Sequence, residues 1–248
     1  MKERRPLLGV LGGLGPLSTF YFCDLLTRHT AAKCDRDHID MIVSSRATTP
    51  DRTAFILGRS TADPLPVMRE EAARLVRAGA SLLVIPCNTA HYFYDGLADS
   101  TPVPILNIIR ETVRLLSLRG IRRFGLLATE GTVKSRSYHR LCQPQGIECI
   151  TPDEDGQHTV SSAIYDAVKK NRPIDTAALS TVIEHLVARG CECLILGCTE
   201  LSVLDRTQLP APEIIDALEV LAYRTILACG KTPIGFPSCF DLLKEDLV

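Results

Sequence analysis

Two cysteines occupy equivalent places in an internal repeat. Residues 74–90, Arg-Leu-Val-Arg-Ala-Gly-Ala-Ser-Leu-Leu-Val-Ile-Pro-Cys-Asn-Thr-Ala, align without a gap to residues 185–201, His-Leu-Val-Ala-Arg-Gly-Cys-Glu-Cys-Leu-Ile-Leu-Gly-Cys-Thr-Glu-Leu. In each copy an amphipathic helical pattern stops at a glycine (Gly79, Gly190), a short apolar strand follows, and Cys87 or Cys198 comes eight positions after the glycine. A thiolate can take a proton and a thiol can return one. Two such groups on opposite sides of one carbon could invert it, one removing a proton from one face while the other delivers a proton to the opposite face. Neither cysteine alone could do so efficiently. The residues that follow, Asn88-Thr89 and Thr199-Glu200, would open the next helices and offer N–H and hydroxyl donors to a carboxylate. The turn Gly12-Gly13-Leu14-Gly15 offers another close backbone approach.

Positioning these groups requires strands that end at a common cleft. The openings of the two halves correspond more weakly, Gly9-Val-Leu-Gly-Gly-Leu-Gly15 against Gly125-Leu-Leu-Ala-Thr-Glu-Gly131, each an apolar strand breaking into a turn before a helix. Helical patterns over 67–78, 107–118, 159–170 and 175–189 alternate with strands. The chain therefore reads as an α/β protein of two similar lobes related by duplication, each a parallel sheet with helices on both faces. Residues 1–116 form the first lobe and 117–212 the second, with the joint near Ser117 to Arg123. A final helix over 213–228 returns to the first lobe, and residues 229–248 form a tail without a repeat partner, expected to be loosely ordered. In open parallel sheets ligands bind beyond the carboxyl ends of strands, where Cys87 and Cys198 both fall.

Composition narrows the function. The 248 residues carry 28 basic and 29 acidic side chains and are 46% hydrophobic, the make-up of an ordinary soluble globular protein with enough chain for two cores. Basic residues come only in short pairs such as Arg4-Arg5 and Arg122-Arg123, so nucleic acid is not an expected partner. Lys2, Arg4 and Arg5 precede an apolar stretch, but Pro6 and the glycines up to Gly15 make it a strand and turn rather than a signal peptide. No apolar run approaches the roughly 20 residues of a membrane span. These features place the chain in the cytoplasm, away from membranes, with its ten cysteines reduced.

Gly-Gly-Leu-Gly-Pro at 12–16, Pro-Asp-Arg-Thr at 50–53, Pro-Cys-Asn-Thr-Ala-His at 86–91 and Gly-Cys-Thr-Glu at 197–200 resemble the aspartate racemase branch of the aspartate/glutamate racemase family, over residues 7 to about 228. The resemblance implies a two-lobe α/β protein, usually a homodimer, that racemises a small acidic amino acid in the inter-lobe cleft without pyridoxal phosphate, metal or nucleotide. It implies Cys87 and Cys198 as the acid/base pair, and Asn88, Thr89 and Thr199 as holders of the α-carboxylate. Arg52 and Lys169, the latter in Ile-Tyr-Asp-Ala-Val-Lys, would bind the side-chain carboxylate. Gly13 and Leu14 complete the substrate-binding set, with Glu200 and His91 behind it. In the glutamate racemase branch an acidic residue and serine stand at the first strand end and histidine after the second Cys-Thr; here Gly12 and Glu200 stand instead. The likeness departs at Ser44-Ser45-Arg46-Ala47-Thr48-Thr49, which leaves aspartate against glutamate open. Arg46 is expected to serve solvent or structure rather than substrate.

Other readings weigh less. Cys191-x-Cys193 with Cys198 suggests zinc, but strand alternation would put 191 and 193 on one face with no histidine at ligand spacing. Gly13-Leu-Gly15-Pro-Leu-Ser18, with Asp35 and Asp37 downstream, nearly matches a dinucleotide fingerprint, yet Pro16 removes a backbone donor and the third glycine is absent. His91 lies four residues after Cys87 and is expected to pack or support rather than react. Cys23, Cys34, Cys142, Cys149, Cys229 and Cys239 read as small core residues. A hydantoin racemase, maleate isomerase or decarboxylase on the same scaffold, an acidic-ligand binder, and a redox protein closing Cys87 to Cys198 remain open.

Overall fold

A computed structural model describes residues 6–244. Lys2, Arg4, Arg5 and the end of the tail, 245–248, lie outside the described residues. The first half runs β1 (Leu8–Gly12), α1 (Pro16–Arg28), β2 (Met41–Ser45), α2 (Arg52–Ile56), α3 (Leu65–Arg77), β3 (Leu82–Val84), α4 (Tyr94–Ala98), β4 (Ile105–Leu106) and α5 (Ile108–Leu118). The second runs β5 (Arg123–Leu127), α6 (Glu130–Lys134), α7 (Ser137–Cys142), β6 (Glu148–Ile150), α8 (Glu154–Ser162), α9 (Thr176–Ala188), β7 (Cys193–Leu196), β8 (Ile214–Asp216) and α10 (Ala217–Ala228). The sheets are ordered β2-β1-β3-β4 and β6-β5-β7-β8, with every described pairing parallel. Both are therefore the same two-one-three-four arrangement, and the duplication read from the cysteine segments extends over four strands and the closing helices α5 and α10.

The repeated glycines show why the segments fold alike. Gly79 and Gly190 take φ of 102° and 80°, a left-handed conformation that costs a side-chain-bearing residue energy. Each ends its helix by returning N–H groups to it: Ala80 N–H donates to Leu75 O at 3.0 Å, and Gly190 N–H to Val187 O at 2.9 Å. The chain then enters β3 or β7, whose residues are all buried and lie beside the central strands β1 and β5.

One core joins the halves. Leu8, Val10 and Phe22 from the first pack in the same cluster as Phe124, Leu126 and Tyr138 from the second and Leu218, Leu221 and Tyr223 from α10. Separate clusters fill the other faces of the sheets, around Leu75, Leu83 and Ile85 in one half and Ile183, Leu194 and Leu196 in the other. The stretch 213–228 divides: β8 pairs with β7 in the second sheet, while α10 packs against α1 and α5. Of the tail, residues up to Lys244 are packed rather than loose. A 3-10 helix, Ser238–Lys244, buries Phe240 and Leu243 on the shared core, and Arg224 donates to Leu243 O at 2.6 Å.

Two cysteine expectations change. Cys191 precedes β7 rather than lying in it, so alternation does not govern it; it packs in the outer cluster of the second half, whereas Cys193 faces the shared core. Cys34 is exposed on a polar turn beside Asp37, and Cys23 and Cys239 are only partly buried, while Cys142, Cys149 and Cys229 are core residues. Among the described residues no helix is long and apolar enough to cross a membrane.

Candidate functional site

At the carboxyl ends of β1, β3, β5 and β7 a small pocket is lined by Leu14, Asp51, Arg52, Thr53, Cys87, Asn88, Thr89, Thr129, Tyr165, Lys169, Cys198, Thr199 and Glu200. Both repeated cysteines therefore reach one cavity from different halves, and both are almost fully buried. Each is followed by a short 3-10 helix, Thr89–Phe93 or Thr199–Val203, rather than a full α-helix. Of the residues singled out in the sequence, Gly13 and His91 are the two that do not line the pocket. Gly13 N–H is taken by Thr19 Oγ1 at 2.9 Å, and its φ of 79° turns the chain tightly against the Arg46 backbone. Arg46 itself is paired with Glu70 and Glu71 at 2.6 and 2.7 Å, a structural role.

The two thiols differ in their surroundings. Cys198 Sγ donates to Glu200 Oε2 at 3.0 Å, and burial followed by the Glu200 charge drives its pKa well above the ordinary thiol range. Cys87 is also pushed up by burial, but the nearby Arg52 cation opposes the shift. Lys169 Nζ lies 2.7 Å from Glu200 Oε1, so the carboxylate bridges an ammonium and a thiol. Burial disfavours the Lys169 charge, yet Glu200 more than compensates and raises its pKa. A Cβ at Gly15 would stand 2.5 Å from Glu200 Oε1, so the carboxylate lies close against that backbone position.

Donors converge on the same space. Asn88 is 2% exposed; its Oδ1 accepts from Tyr138 Oη at 2.7 Å and its Nδ2 has no partner. The Arg52 guanidinium donates to Leu14 O at 2.6 Å and to Thr49 O and Pro50 O, leaving Nε buried without a partner. A buried donor without an acceptor carries a desolvation cost of about 1–3 kcal/mol, which an anionic ligand would remove. The hydroxyls of Thr89, Thr129 and Thr132 lie within 2.8–3.1 Å of one another, and Thr199 Oγ1 donates to Pro86 O at 3.3 Å, so hydrogen bonds between the halves form part of the pocket wall.

Lys169 and Tyr165 reach the pocket through a change of helical pitch. After α8 the chain winds into a π-helical turn, Ala163–Ala167, then a 3-10 turn, Val168–Lys170, ended by Asn171 at φ 54°. The ammonium sits 5.5 Å above the Tyr165 ring, whose hydroxyl donates to Thr53 Oγ1 at 2.9 Å. His91 points to the back of the Cys87 segment. Its Nδ1 lies 2.8 Å from Cys87 O and its Nε2 accepts from Ile108 N–H at 3.3 Å; since Nε2 accepts, the ring is neutral and Nδ1 is the donor. Burial lowers its pKa to about 4.

Four lining residues escaped the sequence reading. Asp51 and Thr53 flank Arg52 within the quoted motif, and Tyr165 stands one helical turn before Lys169 in another. Thr129 falls opposite Gly13 when the openings of the halves are aligned, so the repeat held its signal.

Comparison with known proteins places this geometry among relatives. The family described as Asp/Glu/Hydantoin racemase matches residues 11–225. The chain is 29% identical over 233 residues to a broad-specificity amino-acid racemase of Bacillus subtilis, covering 89% of this chain and 96% of that protein. It is 28% identical over 211 residues to a glutamate racemase of Thermus thermophilus, covering 74% and 76%. The solved structure of Picrophilus torridus aspartate racemase superposes with a TM-score of 0.80 at 28% identity, covering 96% of this chain and 99% of that one.

Proposed function

The chain belongs to the Asp/Glu/Hydantoin racemase family and is an amino-acid racemase, and we propose that it interconverts L- and D-aspartate, with glutamate the second candidate, by a cofactor-independent two-thiol mechanism. The observation that carries this reading is the single pocket that receives Cys87 and Cys198 from duplicated halves together with unpartnered donors at Asn88 Nδ2 and Arg52 Nε.

In this reading one cysteine acts as thiolate and removes the α-proton, and the other, as thiol, delivers its proton to the opposite face. The Cys198–Glu200 hydrogen bond supports a resting state in which Cys198 is protonated, and Cys87, whose raised pKa the Arg52 cation opposes, is the thiol that ionises first to begin a turnover. The reverse reaction exchanges their roles. Asn88, Thr89 and Thr199 hold the α-carboxylate; Arg52 and Lys169 take the side-chain carboxylate, which must share Lys169 with Glu200. A mismatch of about ten pKa units between thiol and α-carbon amounts to roughly 14 kcal/mol, so donors fixed at the developing enolate and exclusion of water are as necessary as the sulfurs. All ten cysteines are unpaired, which supports a reducing compartment such as the cytoplasm, and assembly as a homodimer belongs to the same reading.

The test is chiral chromatography after incubation with L-aspartate, L-glutamate and a panel of neutral and basic amino acids, before and after exhaustive dialysis. Aspartate or glutamate should turn over fastest with activity unchanged by dialysis. Faster turnover of a neutral or basic amino acid would overturn the acidic substrate, and activity lost on dialysis and restored by pyridoxal phosphate would overturn the mechanism.

A further inference from the structure

Tyr138 lies in the second half, on α7, yet its hydroxyl ends at a pocket residue of the first half. It is fully buried beside Phe124, with ring centroids 6.1 Å apart. Its hydroxyl donates to Asn88 Oδ1 at 2.7 Å. A carboxamide has one acceptor end and one donor end, so engaging Oδ1 decides which way the group faces. Here it leaves Nδ2 buried and without a partner on a residue that lines the pocket. With the amide turned over, the pocket would present an oxygen, which repels a carboxylate. Burial drives the Tyr138 pKa well above its ordinary value, so the phenol stays protonated and retains the hydrogen it donates to Asn88 Oδ1. The turn preceding α7 is held by Arg136 at φ 55°, a conformation uncommon outside glycine, and from there Ser137 and Tyr138 pass directly into the core.

We propose that Tyr138 is a positioning residue for substrate recognition: it reaches across from the second half and locks the Asn88 carboxamide with its N–H group toward the substrate carboxylate. This rests on the proposed racemase reading, in which Asn88 binds that carboxylate. The residue touches no reacting atom. Its effect is carried entirely by Asn88, and this distinguishes it from a residue that merely fills the core.

The experiment is a double-mutant cycle on racemisation of L-aspartate and L-glutamate, with wild type, Tyr138→Phe, Asn88→Ala and the double variant. Tyr138→Phe should lower kcat/KM about tenfold, chiefly through KM, while in the Asn88→Ala background it should change kcat/KM less than twofold. Equal effects in both backgrounds, or none in the first, would overturn the inference while leaving the racemase reading intact. Wild type inactive on both acids would overturn that reading and this inference with it. Should the phenylalanine variant fold poorly, the side-chain amide resonances of Asn88 in wild type provide the second measurement. Titration with malonate, a non-reacting dicarboxylate, should shift the Nδ2 protons, and unmoved resonances at saturation would likewise overturn the inference.

Discussion

Glu200 meets a thiol, an ammonium and a glycine backbone at once, and its charge acts on both sulfurs. Burial sets the elevated pKa of both cysteines, and the Glu200 carboxylate raises each further. Replacing it by glutamine removes a negative charge that disfavours thiolate, so the thiol pKa values fall. The rising limb of log kcat/KM against pH should therefore move to lower pH in Glu200→Gln; a limb that stays in place would show that Glu200 does not govern the titrating thiol. Cys87, Cys198, Arg52, Asn88 and Lys169 were all legible as residue types and motifs. The Cys198–Glu200 contact was not, because it forms where the chain passes from extended backbone at Cys198 into the 3-10 helix Thr199–Val203, a change of geometry that carries no periodic signal. Tyr138 was invisible for a different reason: its partner lies 50 positions away in the other half.

At the scale of elements, His91 fastens the Cys87 segment to the start of α5, one ring nitrogen on Cys87 O and the other on Ile108 N–H. Its folded pKa of about 4 lies below the value of 6.5 expected in the unfolded chain. The unfolded state thus binds the proton first as pH falls, and the stability held at neutral pH is lost progressively below pH 6.5, down to about pH 4. Between pH 7 and 5 this amounts to about 2 kcal/mol. Urea unfolding at the two pH values should show wild type losing that much more than His91→Asn, whose amide keeps a donor but does not titrate; equal losses would show that His91 is not the linked group. The long helices α3, α5 and α9 followed their apolar periodicity to within about two residues, whereas the π-turn before Lys169 gave no periodic signal of its own. The tail was legible only as unrepeated sequence, since Phe240 and Leu243 bury against helices distant in the chain.

The whole molecule is two copies of one sheet topology fused through a common core, and the pocket is where the open ends of both sheets meet. Among the described residues, hydrogen bonds cross between the halves at or beside the pocket from Thr89 to Thr129 and Thr132, from Thr199 to Pro86 O, from Tyr138 to Asn88 and from Tyr165 to Thr53. That arrangement was readable from the gapless repeat, because equivalent strand ends carried equivalent cysteines; the cross-connections were not, since no spacing within either copy encodes its distance to the other. Two thiols lining one pocket make a claim that isotope can test. L-Aspartate incubated with the enzyme in deuterated water should yield D-aspartate labelled at Cα while the remaining L-aspartate stays unlabelled at early conversion, and Cys87→Ala and Cys198→Ala should each reduce inversion by roughly 10²–10⁴-fold. Label entering the remaining L-aspartate as fast as it appears in the product, or inversion that survives either substitution, would contradict the two-thiol account.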